Sequence, residues 1–139
     1  MDMWGLMKRG FMYHPDKDCA ICGEQRVTYR EFEARINKLV NLLYGLGLEK
    51  GDRVSVLAEN SIAAMEAMIA LEKSGMVWAP LNFRHHPTEH AYHLNNAESR
   101  ALILQQHFAE GIDSVKGELE TVEHFIVDGE GYSGMDSYE

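Results

Sequence analysis

The fold is decided by residues 53–81, which have the sequence RVSVLAENSIAAMEAMIALEKSGMVWAPL. The apolar run 54–57 predicts a strand that is buried on both faces of a parallel sheet. Ser61 suits the N-cap of an apolar helix over 62–71, and residues 76–81 predict the next strand. A connection of this length between two apolar strands predicts a right-handed β-α-β unit.

The helix over 62–71 is apolar on nearly every side, because Glu66 is its one charged residue. It is too short for a bilayer span, which needs roughly 20 apolar residues, so we expect it to be buried in protein. One sheet covers one face of the helix, and 139 residues leave few elements for the other face. The chain is therefore predicted to be part of a larger assembly. Alone, it is predicted to expose Met, Ile and Ala side chains on the far face of this helix, with either Met65 or Met68 pointing outward, and to self-associate, most simply as a symmetric dimer.

The composition points to a globular protein without a nucleic-acid partner. The net charge is −9, whereas nucleic acids and anionic membranes attract clustered lysine and arginine. The first ten residues contain no uninterrupted apolar core of signal-peptide length, and no stretch approaches the length of a membrane span. We therefore expect a cytoplasmic location.

The remaining segments alternate between helical and strand patterns. In chain order they predict a helix over 3–12, a hairpin over 19–28, a helix from a Thr28–Glu31 capping box to about Gly45, a helix over 87–95, a strand over 101–104, a helix over 108–119 and a last strand over 124–127. This order predicts an α/β fold in three layers: a largely parallel sheet with helices on both faces, and the N-terminal hairpin at the edge.

Three motifs have competing interpretations. Cys19 and Cys22 form a C-x-x-C pair, which is either half of a zinc or redox site or two ordinary strand cysteines; without a second pair, the latter is favoured. Residues 129–134 satisfy G-x-G-x-x-G, but the five residues that follow leave no room for the helix of a dinucleotide site, so an acidic surface turn is favoured. No nucleophile elbow or G-x-x-x-x-G-K phosphate loop is present in the sequence.

His86, His90 and His93 share one face of a helix at spacings that bring imidazoles together on a metal. No cysteine, aspartate or second ligand pair completes such a site. Solvated or half-buried histidines are therefore favoured over a metal site, and no metal ligand is assigned.

Residues 27–61, followed by KSGMVWAPLNFR at 73–84 and HPTEHAYHL at 86–94, resemble the N-terminal part of the AMP-forming acyl-CoA synthetases. Luciferases and the adenylation domains of peptide synthetases belong to the same superfamily. The resemblance covers residues 14–139. It implies that residues 1–139 are a fragment of a large N-terminal domain in which two sheets enclose helices, with the phosphate loop and the C-terminal domain absent.

The resemblance also implies a reaction and its cofactors. Such enzymes make an acyl-adenylate from a carboxylic acid and ATP with Mg²⁺, then transfer the acyl group to a thiol, commonly that of CoA. Their catalytic motifs do not occur in these 139 residues, so no catalytic residue is assigned and no cofactor is expected to bind this chain tightly. Its expected partner is the remainder of the synthetase chain. The alternative is a free-standing, non-catalytic interaction module.

One site residue follows from the resemblance. Arg84, in the sequence PLNFR, matches an arginine that approaches the 3′-phosphate of CoA in some acyl-CoA ligases. The alternative is that Arg84 pairs with a nearby carboxylate. His86 stands where the family usually has a threonine or serine cap, which predicts a helix start weakened by about 1 kcal/mol. His90 and His93 stand where the family commonly has apolar residues.

Overall fold

The computed structural model of the chain describes residues 3–138. Its strands are β1 (Asp18–Cys22), β2 (Gln25–Thr28), β3 (Arg53–Leu57), β4 (Val77–Leu81), β5 (Ala101–Gln105), β6 (His124–Asp128) and β7 (Asp136–Ser137). Its α-helices are α1 (Met3–Tyr13), α2 (Tyr29–Gly45), α3 (Ile62–Ser74), α4 (Pro87–Asn96) and α5 (Ala109–Val115).

A parallel sheet forms the middle layer, with its strands in the spatial order β4-β3-β5-β6-β7. Strand β3 lies between β4 and β5, so that Val54 is level with Trp78 on one side and Ala101 on the other. Strands β1 and β2 form a separate antiparallel hairpin. The predicted three-layer α/β fold with a parallel sheet is confirmed.

Alternate residues of the strands face two separate apolar cores. Val54, Ile103 and Ile126 belong to the core that α1, α2 and α3 cover. Leu102 and Phe125 belong to the core that α4 and α5 cover on the opposite face. Both faces of β3, β5 and β6 are therefore buried, as the continuous apolar runs of these strands predict.

Helix α3 is covered on its outer side as well, which corrects one expectation from the sequence. It packs against α1, α2 and β1 in addition to the sheet. Met65 and Met68, one of which was expected to point outward, are both partly buried against the core. The prediction of an uncovered helix face is wrong because α1 and α2 supply the second layer that a helix with apolar residues on nearly every side demands.

The predicted turn chemistry is present at both ends of the central unit. Ser61 accepts a hydrogen bond from the backbone N–H of Ala64, and Gly75 ends α3 with φ of 73°. The capping box at the start of α2 is also present, with Thr28 and Glu31 in reciprocal hydrogen bonds. These local signals are strong because each one satisfies a backbone group that the helix leaves unpaired.

The C-terminal third differs from the sequence prediction in two places. The predicted helix over 108–119 consists of α5 between two 3₁₀ turns, Gln106–Phe108 and Lys116–Glu118. The glycines at positions 111 and 117 have low helix propensity, which favours the interruption. The strand β6 is not the last one, because β7 pairs with it in parallel.

Among the described residues, no helix has the length and apolar character needed to cross a membrane.

Candidate functional site

The loop of residues 82–86 follows β4 at the carboxyl ends of the parallel strands, where open α/β sheets bind ligands. It presents Arg84, whose exposed guanidinium lies 5.4 Å from the centroid of the Phe83 ring. Within residues 3–138, no carboxylate forms an ion pair with Arg84. The predicted alternative, an arginine held by a nearby carboxylate, therefore finds no support in this structure.

Asn82 organises this loop through three hydrogen bonds. Its side-chain Oδ1 accepts from the backbone N–H of Arg84 at 3.0 Å. Its backbone carbonyl accepts from the N–H of His85 at 3.1 Å and lies 2.9 Å from Nε2 of His90. Since a carbonyl only accepts, Nε2 of His90 carries the proton and donates it. The loop is thus connected to the buried side of α4.

The structure brings together His85, His90 and His93 rather than the predicted trio. The ring centroid of His85 is 6.3 Å from that of His90 and 5.4 Å from that of His93. His86 instead is exposed, and its Nδ1 lies 3.2 Å from the Thr88 hydroxyl. In the described part of the chain, no group of three or more His, Cys, Asp or Glu side chains has the arrangement of a metal site.

His90 is buried, with 3% of its surface exposed, which differs from the expected solvated or half-buried histidine. Burial lowers the pKa of His90 and is the largest cause, the hydrogen bond to the Asn82 carbonyl opposes it, and among the weaker effects His85 and His93 lower the pKa whereas Glu89 raises it. The imidazole is therefore kept neutral near pH 7. In the neutral ring, the proton has to lie on Nε2 if His90 is to donate to the Asn82 carbonyl.

The start of α4 is capped from within the helix despite the histidine at its N-cap. The Glu89 carboxylate accepts a hydrogen bond from the backbone N–H of His86 at 2.8 Å. This hydrogen bond lowers the pKa of Glu89, so the carboxylate stays ionised at the positive end of the helix. This half of a capping box at α4 was not predicted, although the three-residue spacing of His86 and Glu89 is visible in the sequence.

A cleft of about 300 Å³ opens beside the loop, between β4 and α4. Its lining includes Ser55, Asn82, His85, His93 and Asn96. It therefore offers imidazole and amide groups next to the segment that carries Arg84. Such a combination suits a polar ligand with hydrogen-bonding groups.

The glycine-rich segment 129–134 is a turn and not the start of a helix. Strand β7 follows it, and Gln106 accepts a hydrogen bond from the backbone N–H of Glu130 at 2.9 Å. A dinucleotide fingerprint requires a helix whose N-terminus faces the pyrophosphate. The favoured interpretation of a surface turn agrees with this geometry.

Cys19 and Cys22 of the C-x-x-C motif both lie in β1 as free thiols. Residues three positions apart in a strand point to opposite faces, which separates Cys19 from Cys22. Burial raises the pKa of the Cys19 thiol, so it is less reactive than an ordinary cysteine. The interpretation as ordinary strand cysteines is supported.

Sequence reasoning missed a buried charged cluster on the other side of the sheet. Glu66, with 0% of its side chain exposed, accepts a hydrogen bond from Nε of Arg35 at 2.6 Å and another from the hydroxyl of Tyr138. Burial and the Glu66 carboxylate raise the pKa of Tyr138 far above its usual value. The signal was one glutamate inside an apolar helix, but nothing in the sequence identifies its partners.

Comparison with known proteins places this architecture in a family. The model of a family described as AMP-binding enzyme matches residues 8–137. The chain belongs to the AMP-binding enzyme family. The resemblance drawn from residues 27–61, 73–84 and 86–94 is thereby confirmed.

Members of the AMP-binding family with similar sequences and structures include CoA ligases. A long-chain-fatty-acid–CoA ligase of Thermus thermophilus is 34% identical over an alignment of 131 positions, and the match covers 91% of this chain and 24% of that protein. The anthranilate CoA ligase AuaEII, solved with anthranoyl-AMP, has a TM-score of 0.93 at 27% identity, over 99% of this chain and 27% of that chain. The N-terminal domain of FACL13 from Mycobacterium tuberculosis has a TM-score of 0.84 at 25% identity, over 91% of this chain and 34% of that chain.

This member of the AMP-binding family therefore spans about a quarter of the length of the curated relatives that it matches. What it shares with the solved relatives is the fold over nearly the whole of this chain. The activity of these relatives belongs to their whole chains, about three quarters of which lie outside the matched region.

Proposed function

We propose that this chain forms the N-terminal portion of an acyl-CoA ligase. The overall reaction converts a carboxylic acid, ATP and CoA into acyl-CoA, AMP and pyrophosphate through an acyl-adenylate. The observation that carries the proposal is the 34% identity to a long-chain-fatty-acid–CoA ligase over 91% of this chain. An interaction module without chemistry is not favoured, because the relatives named above are ligases.

In this proposal the chain supplies the scaffold and part of the ligand-binding surface. Acyl transfer through an adenylate stabilises charge on the α-phosphate with positively charged groups and backbone N–H donors. The described residues contain no group of three or more His, Cys, Asp or Glu side chains that could hold a metal ion. The proposal assigns no catalytic residue and no metal ligand to this chain, and the carboxylic acid, ATP and Mg²⁺ are proposed to bind the larger ligase.

ATP–pyrophosphate exchange tests whether the catalytic groups lie outside this chain. The purified 139-residue chain is expected to give no exchange above background with fatty or aryl acids. The Thermus thermophilus ligase, assayed in parallel, is the positive control. Robust acid-dependent exchange by this chain alone would contradict the proposal, because the catalytic surface would then lie within it.

Arg84 is proposed to bind the 3′-phosphate of CoA. Its guanidinium is exposed at the carboxyl end of β4 and has no carboxylate partner among the described residues, so its donors are available to an anion. A guanidinium contacts a phosphate through two parallel hydrogen bonds, which a lysine cannot reproduce. Of ATP, Mg²⁺ and CoA, CoA is thus the cofactor to which the proposal assigns a residue of this chain.

Binding can be measured by NMR titration with adenosine 3′,5′-bisphosphate, with 5′-AMP as the analogue that lacks the 3′-phosphate. The bisphosphate is expected to perturb the signals of residues 82–86 more than 5′-AMP does, and Arg84→Ala is expected to abolish the difference. Arg30→Ala is the matched control, because Arg30 is exposed but pairs with Asp16. Equal responses of the Arg84→Ala and Arg30→Ala variants would remove Arg84 from the site.

Self-association and a cytoplasmic location stay predictions. The expected interface on α3 is covered by α1 and α2, so charged residues at Met65 and Met68 are now expected to destabilise the fold instead of separating a dimer. Light scattering at high micromolar concentration tests the association. A monomer for the unmodified chain would refute it.

A further inference from the structure

The loop 82–86 has to hold a definite shape if Arg84 is to meet a phosphate. Two of its amide groups, those of Arg84 and His85, turn inward to Asn82. These hydrogen bonds lie within the loop, so they define its curvature without fixing where it sits on the sheet. A connection to a rigid element is needed for that.

His90 provides such a connection. It lies on α4 between the loop and the core, next to Ala91 and close to Leu94, which are buried as well. Its Nε2 is 2.9 Å from the Asn82 carbonyl, the same oxygen that accepts from His85. The two donors converge on one acceptor, so movement of the loop away from α4 breaks the contact from the ring.

The loop also contains a polar atom, Nδ1 of His85, that favours movement of the loop away from α4. Nδ1 of His85 is shielded from solvent and has no hydrogen-bond partner among the described residues. A buried polar atom without a partner destabilises the conformation that buries it. A compensating interaction is therefore required to keep His85 in place, and the bond from His90 acts on the same peptide segment.

A leucine at position 90 would fill the buried space with no polar group to satisfy. Burial of an imidazole is unfavourable unless its nitrogens are hydrogen-bonded. The placement of a histidine here is explained by the donor that it offers to Asn82. Packing alone does not explain it.

We propose that His90 is a positioning residue, which fixes the loop 82–86 through the hydrogen bond from its Nε2 to the Asn82 carbonyl and thereby holds Arg84 in place for a phosphate-bearing ligand. The second half of this statement rests on the proposed function of Arg84. The first half concerns the ligand-free chain and is tested without any ligand.

The first measurement is the tautomer of His90 in the unmodified chain, from the ring ¹⁵N chemical shifts at pH 7.5. A neutral ring with the proton on Nε2 is expected. A proton on Nδ1 would overturn the proposal, since Nε2 could then not donate to Asn82.

The second measurement compares three variants by amide hydrogen exchange at Arg84 and His85. In His90→Leu, protection is expected to fall by about fivefold, the factor that corresponds to one hydrogen bond worth about 1 kcal/mol. In His90→Gln, whose amide reaches a similar position, protection is expected to be retained. His93→Leu is the matched control, because His93 stacks on His85 but donates no hydrogen bond to the loop in this structure.

Loss of protection in His90→Leu with retention in His90→Gln supports the proposal. Equal protection in His90→Leu and the unmodified chain overturns it, as does equal loss in the leucine and glutamine variants. Should His90→Leu fail to fold, the tautomer and the glutamine variant still decide.

Titration with adenosine 3′,5′-bisphosphate completes the test. The affinity of His90→Leu is expected to fall by about fivefold, with recovery in His90→Gln. If the unmodified chain shows no binding at all, the role of Arg84 in the proposed function fails, while the exchange measurement still decides whether His90 positions the loop.

Discussion

Replacement of Arg35 by methionine is expected to destabilise the fold through the buried Glu66. Removal of one partner from a fully buried ion pair costs about 3–5 kcal/mol, because the other charge is left uncompensated. The Arg35 side chain is 37% exposed, whereas that of Glu66 is 0% exposed, so some water reaches the site and the lower end applies. We therefore expect a loss of about 3 kcal/mol in the free energy of unfolding.

Urea unfolding followed by circular dichroism measures this loss. With a urea dependence of about 2 kcal/mol/M for a chain of this size, the midpoint is expected to fall by about 1.5 M. Tyr138→Phe removes the second donor to Glu66 and is expected to cost about 1.5–3 kcal/mol, as for a hydrogen bond to a charged group. Arg30→Met is the control, since its ion pair with Asp16 is exposed and worth less than about 1 kcal/mol.

The double variant Arg35→Met with Glu66→Met separates a buried charge from lost packing. It removes both charges, and replacement of buried ion pairs by apolar residues is often neutral or stabilising. We expect it to recover most of the loss. If Arg35→Met costs no more than Arg30→Met, or if the double variant is less stable than Arg35→Met, the argument from an uncompensated charge is wrong.

Three further outcomes are expected in the same unfolding assay. Gly75→Ala is expected to lower the free energy of unfolding by more than about 1 kcal/mol, since Gly75 has φ of 73° and a Lys50 side-chain atom lies 3.0 Å from the added Cβ. Gly45→Ala in α2 is the control: its Cβ meets no atom within 4 Å, so it is expected to be neutral or stabilising. Equal effects of the two variants would contradict the backbone argument. Thr28→Ala is expected to cost about 1 kcal/mol through loss of the N-cap, and no change would mean that Glu31 caps α2 unaided. The pKa of His90 is lower in the folded chain than its unfolded value of about 6.5. Its contribution to the free energy of unfolding is therefore complete above the unfolded pKa and is lost as the pH falls through the folded pKa. Stability should therefore fall on acidification from pH 7, less steeply in His90→Leu, and an unchanged slope in that variant would refute the assignment.

The predictable part of this fold rests on local rules. The β-α-β unit over 53–81 was predictable because the apolar strands, Ser61 and Gly75 each satisfy a short-range requirement. The capping box at Thr28 was predictable for the same reason. Wherever a hydrogen bond or a backbone angle depends on residues three or four positions apart, the sequence contains the necessary information.

The parts that were not predicted depend on distant segments. The cover of α3 comes from α1 and α2, whose docking is set by packing of the whole core and not by the sequence of α3. Glu66 meets Tyr138, which lies 72 positions further along the chain. The candidate site shows the same division: the position of Arg84 in the loop after β4 followed from the strand pattern, whereas the contact of His90 with Asn82 required the tertiary structure.

Strand β4 lies at the edge of the sheet, and its outer side has consequences for aggregation. The N–H of Val77 points inward to Asp52, so the alternate positions Trp78 and Pro80 direct their backbone nitrogens outward. Trp78 is 39% exposed and would attract another apolar strand, but Pro80 has no N–H to donate. A second chain that approaches this edge meets one donor instead of a ladder of them. Proline at this position therefore protects an exposed, apolar margin from templating fibril-like growth.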